Sequence, residues 1–210
     1  MKPPTRNELA AEVEKLSGSL QQVSLTILTQ AKIPQIPGFV CSFIRYQATQ
    51  GFRIARALRQ DHVDDVDLIA HATRGLFESL LLYWHLMKDG GRSFMATMLR
   101  EVSADHLDTL KATKASFEPS LLPPSLDQDI LELKRQNVKR TPPVRTLAEE
   151  TGAETEYKAV YSLYSKYTHP SLYQIAGDHR EVFSSGACVF FGMKAVQYLR
   201  RILHDSTRIQ

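Results

Sequence analysis

A chain of 210 residues, 43% of them hydrophobic and 23% charged, is sized for one buried core and lies far from the composition of a disordered segment. Its net charge of +3 is too mild to demand a nucleic-acid partner, although uneven placement leaves room for a basic face. No apolar run reaches the roughly 18 residues of a membrane span, and the start Met1-Lys2-Pro3-Pro4 lacks an apolar signal core, so a cytoplasmic protein with no membrane association is expected.

Strand-like alternation is nearly absent, and the periodic stretches are long and bounded by proline or glycine. That pattern predicts an all-α helical bundle of about seven helices, forming a single domain over residues 1–210. The first helix is expected from about Asn7 to Ala31, ending at Ile33-Pro34-Gln35-Ile36-Pro37-Gly38, whose prolines cannot continue it. A second is expected from Phe39 to Gln60. A third, Asp64 to Lys88, opens on Asp64, Asp65 and Asp67, where carboxylates favour a helix N-terminus, and stops at Gly90-Gly91. The fourth covers Arg92 to Ser116; a loop with Pro119 and Pro123-Pro124 leads to a fifth from Ser125 to about Lys139. After Pro142-Pro143, a short turn of helix at Thr146 to Glu150, capped by Gly152, precedes a helix over Glu154 to Thr168 and a last one over Phe183 to His204. Cys41 and Cys188 sit in apolar segments without paired spacing, as buried reduced thiols do.

Polar residues in the third helix are not scattered. His71, Arg74, Glu78 and His85 lie within about 60° of one another at 100° per residue, a polar stripe on an apolar rod. Burying a guanidinium and a carboxylate is costly unless they pair or face a wet cleft, so the stripe predicts an Arg74–Glu78 ion pair, a site lining, or both. In the Glu154–Thr168 helix, Tyr157, Tyr161 and Ser165 recur every four residues and lead to His169. One reading is tyrosines with buried rings and wet hydroxyls beside a capping histidine. The other is a proton-transferring His169 oriented by Ser165 and a nearby acid.

Two basic clusters bear on a polyanionic partner. Arg45, Arg53, Arg56 and Arg59 share one side of the second helix, and Lys134, Arg135, Lys139, Arg140 and Arg145 crowd the fifth helix and the loop after it. Either can track a phosphate backbone or serve as a solvated face paired with neighbouring acids. Asp61, His62, Asp64, Asp65, Asp67 and His71 do not match a metal signature and read as helix-start acids, and no glycine-rich phosphate loop is present, so no metal and no cofactor are expected.

Arg74-x3-Glu78, then Leu147-Ala148-Glu149-Glu150-Thr151-Gly152, then Tyr157-x3-Tyr161-x3-Ser165-x3-His169-Pro170-Ser171 together resemble an all-helical prokaryotic family without an assigned function. That family is itself similar to the HEPN (higher eukaryotes and prokaryotes nucleotide-binding) superfamily. The resemblance covers roughly residues 66–210 and leaves the N-terminal helices of residues 1–60 outside it. It implies a metal-independent endoribonuclease of toxin or phage-defence type, acting on RNA, working as a homodimer and held by a protein partner such as an antitoxin. It further implies His169 as the general acid or base, with Arg74, Glu78 and Ser165 as the remaining catalytic set and Tyr157, Tyr161, Lys166 and His71 as binding or supporting residues. The chain departs from the superfamily motif where an arginine or similar polar residue precedes the histidine by four to six positions: Leu163, Tyr164 and Ser165 stand there. The alternative is a non-catalytic helical module that self-associates or binds a nucleotide or a partner protein.

Overall fold

In a computed structural model of the protein, the described residues are 2–30, 35–60, 65–87, 92–136, 142–168 and 180–207. Among them every regular element is helical: α1 (Arg6–Gln30), α2 (Gln35–Gln60), α3 (Asp65–Met87), α4 (Arg92–Ser116), α5 (Leu126–Arg135), α6 (Val144–Glu150), α7 (Glu154–Thr168) and α8 (Arg180–Ser206), with a 3₁₀ turn at Pro119–Leu121. None of these helices is long and apolar enough to cross a membrane.

Among the described residues the all-α expectation holds, with eight helices in place of seven. The extra one is α6, which starts two residues before the expected single turn at Thr146 and so qualifies as a helix of its own. Two boundaries also move for physical reasons. Thr5 and Glu8 close a reciprocal capping box, Glu8 N–H donating to Thr5 Oγ1 at 3.2 Å and Thr5 N–H to Glu8 Oε2 at 2.7 Å, which starts α1 at Arg6. α2 begins at Gln35 and so contains Pro37, tolerated because first-turn amides have no intrahelical partner to lose.

The described chain divides into two compact units, Met1–His85 with Val144–Gln210, and Leu86–Pro143. In the smaller unit α4 and α5 bury Leu107, Leu126 and Ile130 against one another, and Lys114 pairs with Asp127. Phe117 and Leu121 stay exposed between them.

The larger unit is organised by α8, whose buried positions Cys188, Phe191, Ala195, Val196, Tyr198, Leu199 and Ile202 fall within about 160° of one another at 100° per residue. An apolar face this broad is wide enough to take more than one neighbouring helix. α1 and α2 form an antiparallel pair on one flank, fixed where Cys41 Sγ donates to the Ser24 carbonyl at 3.3 Å and where Arg6 reaches the Leu58 and Ala57 carbonyls at 3.2 Å. Gly51 lets them close: a Cβ there would lie 2.0 Å from Ser17 Oγ and 3.2 Å from Leu199 on α8. On the other flank Phe191 receives α7, stacking with Tyr164 at 5.4 Å and meeting Tyr167 edge-on at 5.3 Å. α3 lies along α8, with Phe77 against Tyr198 at 5.4 Å and Trp84 Nε1 donating to Asp205 at 2.8 Å. Both cysteines are buried and in no disulfide, as their apolar settings predict, and burial raises the Cys41 thiol above its ordinary range.

The corner between α6 and α7 sets the position of the site. Gly152 takes φ 75°, and Ala153 N–H donates to the Ala148 carbonyl at 2.8 Å while Gly152 N–H donates to that of Glu149 at 3.3 Å. This is a Schellman ending with glycine at its left-handed position. Ala153 then accepts from Tyr157 N–H at 2.9 Å, so α7 begins one residue after α6 is closed and its register against α3 is fixed.

Candidate functional site

Arg74 and Glu78 stand one turn apart on α3, and their side chains meet as the i,i+4 spacing predicts, Nε to Oε1 at 2.8 Å. α7 adds the third member. Arg74 Nη2 donates to the Tyr161 hydroxyl at 2.6 Å, and that hydroxyl donates to Glu78 Oε1 at 3.1 Å, closing a triangle of charge-assisted bonds between the two helices. The guanidinium also lies 4.7 Å from the Tyr161 ring centroid, within cation–π range. Arg74 keeps 22% and Glu78 31% of side-chain surface exposed, so the triangle sits at the solvent edge of the α3–α7 seam.

Electrostatics follow this geometry. Partial burial works against the Arg74 charge, but the Glu78 carboxylate and the Tyr161 hydroxyl outweigh it and hold its pKa above the ordinary range. Burial, then the Glu78 charge, raises the Tyr161 hydroxyl, which stays protonated and able to donate. Tyr157 stacks on Tyr161 with ring centroids 4.6 Å apart, the contact expected of tyrosines four residues apart. Tyr46 of α2 leans in from the other side: a Cβ on Gly75 would lie 3.0 Å from its hydroxyl, and burial followed by the Glu78 charge raises that hydroxyl's pKa. Tyr46 carries no periodic signal tying it to the third helix; only the glycine next to Arg74 hints that something approaches closely there.

The remaining sequence candidates separate. Ser165 Oγ donates to the Tyr161 carbonyl of its own helix at 3.2 Å, a back-bond that helical serines commonly make. Lys166 and His71 are exposed. His85, placed on one stripe with Arg74 in the sequence, is instead paired with α6, its Nδ1 lying 2.9 Å from Glu150 Oε2. His169, Pro170 and Ser171 lie outside the described residues, as do Asp61, His62, Asp64, Lys139 and Arg140. His169 is joined directly to Thr168, the last residue of α7. In the basic rows, Arg45, Arg53 and Arg56 are exposed on α2, whereas Arg59 is held by Glu14 of α1 and Arg145 by Glu149 at 2.9 Å. Among the described residues no group of three or more His, Cys, Asp or Glu side chains gathers as a metal site would.

A second polar cluster was not visible in the sequence. Glu156, in the first turn of α7, is only 14% exposed and accepts from Lys194 Nζ at 2.9 Å and from Arg201 Nη1 at 2.8 Å, both on α8. Behind it the Tyr164 and Tyr198 hydroxyls share a hydrogen bond of 3.0 Å, and burial drives both phenols far above their ordinary pKa. Glu156 draws no attention as an acid in the first turn of a helix, and the signal that would have found it is Lys194 and Arg201, seven apart on one side of α8.

This cluster makes a prediction about acid stability. Burial alone would raise the Glu156 carboxyl, and the bonds from Lys194 and Arg201 overcome it, so its folded pKa lies below the ordinary 4.5. A depressed folded pKa stabilises the fold above the unfolded value and loses that stabilisation as pH falls through the folded one. Glu156→Gln should cost about 1–3 kcal/mol at pH 7, less than a fully buried pair because both cations keep contact with water. The gap should narrow as pH drops below about 4. Urea unfolding of both proteins at neutral and acid pH checks it; a gap independent of pH would show that the carboxylate charge is not what matters.

No family model, curated protein or solved structure matches the chain.

Proposed function

We propose that the protein is an endoribonuclease of HEPN type that cleaves RNA without a metal, with His169 moving the proton and Arg74 meeting the phosphate. The observation that supports this reading most is the guanidinium of Arg74, partly exposed and oriented by Glu78 and Tyr161, with Tyr157 stacked on Tyr161 and the Tyr46 hydroxyl close to Gly75, on a seam whose second helix ends at Thr168, the residue before His169 in the sequence. An arginine fixed by a carboxylate and a phenol pays little rotamer entropy when it binds a phosphate, and half-exposed tyrosines suit the stacking of unpaired bases. The exposed arginines of α2 begin next to this seam, since Arg53 also acts on the Tyr46 hydroxyl.

In this mechanism the His169 imidazole takes the proton of a ribose 2′-hydroxyl. The 2′-oxygen attacks the adjacent phosphorus, and the 5′-oxygen leaves as it takes that proton from the His169 imidazolium, so the products are a 2′,3′-cyclic phosphate and a 5′-hydroxyl. Arg74 stabilises the charge that builds on the phosphorane oxygens. Glu78 and Tyr161 act through Arg74, as positioning residues. Ser165, bonded to its own helix, has no direct part.

Arg74→Gln tests this assignment. With helix content unchanged by circular dichroism, cleavage of RNA in excess chelator should fall by about 10²–10³-fold, the usual effect of removing one transition-state donor. Unchanged cleavage would remove Arg74 from the mechanism.

One observation favours a second reading, a non-catalytic helical module that self-associates or binds a nucleotide or a partner protein: Arg74, Glu78 and Tyr161 already bond one another, as a purely structural cluster does.

A further inference from the structure

Glu156 lies five residues before Tyr161, about 140° around α7 at 100° per residue, so its cluster faces a different part of the molecule from the Arg74 seam. There, between the start of α7 and α8, is an open cleft of about 480 Å³, within the size range of small-molecule sites. Lys194, Arg201 and Glu156 line it, with Gln197, Thr155 and the Trp84 indole.

The charges that line this cleft do not cancel. Two cations share Glu156, the one carboxylate among the lining residues, and Asp205 is bonded to Trp84 Nε1 at 2.8 Å. Lys194 spends two donors, on Glu156 and on Gln197 Oε1 at 3.1 Å. Arg201 spends one of its five N–H groups, on Glu156, and is 39% exposed at the cleft wall. Glu156 therefore fixes both cations in place while leaving positive charge and donors directed at the cleft. Trp84 supplies a flat apolar surface, held in orientation by Asp205 and lying 5.9 Å from the Arg201 guanidinium. A fixed guanidinium beside a fixed aromatic face is complementary to an oxyanion carried on a planar or apolar body.

We propose that this cleft is a binding site for a small organic oxyanion, a carboxylate or phosphate monoester bearing a planar apolar group, with Arg201 and Lys194 holding the anion and Trp84 the body. The inference is independent of the ribonuclease reading.

Trp84 is the one tryptophan of the chain, so its fluorescence reports on the cleft alone. Phenyl phosphate, benzoate and the neutral benzyl alcohol are titrated into the full-length protein at moderate salt. A saturable change with either anion and none with benzyl alcohol is expected, and the tighter of phenyl phosphate and benzoate assigns the head group. Arg201→Gln should weaken binding at least about tenfold, the scale of a lost charge-assisted bond. Should that variant fail to fold, Arg201→Lys keeps the charge, loses the planar fork, and should weaken binding several-fold. The proposal is overturned if neither anion gives a saturable change at millimolar concentration, if benzyl alcohol does as well, or if both Arg201 variants bind as the wild type does.

Discussion

Phe191→Ala should destabilise the protein by about 3–5 kcal/mol, measured as a fall in the urea midpoint with the slope unchanged. Phe191 is fully buried, and three rings close on it: Tyr164 stacked at 5.4 Å, Tyr167 edge-on at 5.3 Å and its chain neighbour Phe190 at 5.5 Å. Its carbonyl also lies 3.5 Å from Thr73 Oγ1, one residue before Arg74. Truncation removes the transfer energy of a whole ring and leaves a cavity walled by tyrosines, which are too rigid to collapse into it. The consequence reaches beyond stability. α7 is seated on α8 through Phe191, and Tyr161 reaches Arg74 only because α7 is so seated. Phe191→Leu, which keeps most of the volume, should cost far less. A loss below about 1 kcal/mol for the alanine variant would mean that α7 does not rest on this residue.

His169→Ala is the second large expected effect. A histidine that moves the proton in both bond making and bond breaking has no substitute in Ser165, whose hydroxyl is bonded to the Tyr161 carbonyl, or in Glu78, whose Oε1 is held by Arg74 and Tyr161. Cleavage should drop to background, since no alternative base stands on the described part of the seam. Thermal stability should change little. The variant thus separates chemistry from folding, as Phe191→Ala does not.

Much of the fold was legible in the sequence because its stop signals are local. Pro142-Pro143, Gly152 and the acids of α3 act within a turn or two of where they stand, and the elements they bound agree with the structure to within a few residues. Where the reading slipped, a local rule met an exception: Pro37 fits a first turn, and Val144 adds enough residues to make α6 a helix. The Arg74–Glu78 pair was legible for the same reason, being set by the helix itself. Tyr161 joining that pair was not, because it depends on how α7 docks on α3, and docking is decided by Phe191, Tyr164 and Tyr198 together. The bond that Ser165 makes to the Tyr161 carbonyl of its own helix was not legible either, since the four-residue spacing drew attention to His169, which lies outside the described residues.

The Glu156 cluster was hidden by distance along the chain. Glu156 and Arg201 are bonded across 45 residues, and each alone has an ordinary explanation, one as a first-turn acid, the other as a basic residue late in a helix. Only the antiparallel docking of α7 and α8 brings them together. Burial then changes their meaning, since a carboxylate that would be a minor helix-start charge in water becomes the counter-ion of two partly buried cations.

The reading of the protein as a ribonuclease is tested most directly by incubating mixed cellular RNA with the purified protein in excess chelator, beside His169→Ala prepared identically, and identifying the ends of the fragments. Fragments with 2′,3′-cyclic phosphate and 5′-hydroxyl ends from the wild type, and intact RNA from the variant, are the predicted result. Intact RNA with both proteins, or equal cleavage by both, would contradict it.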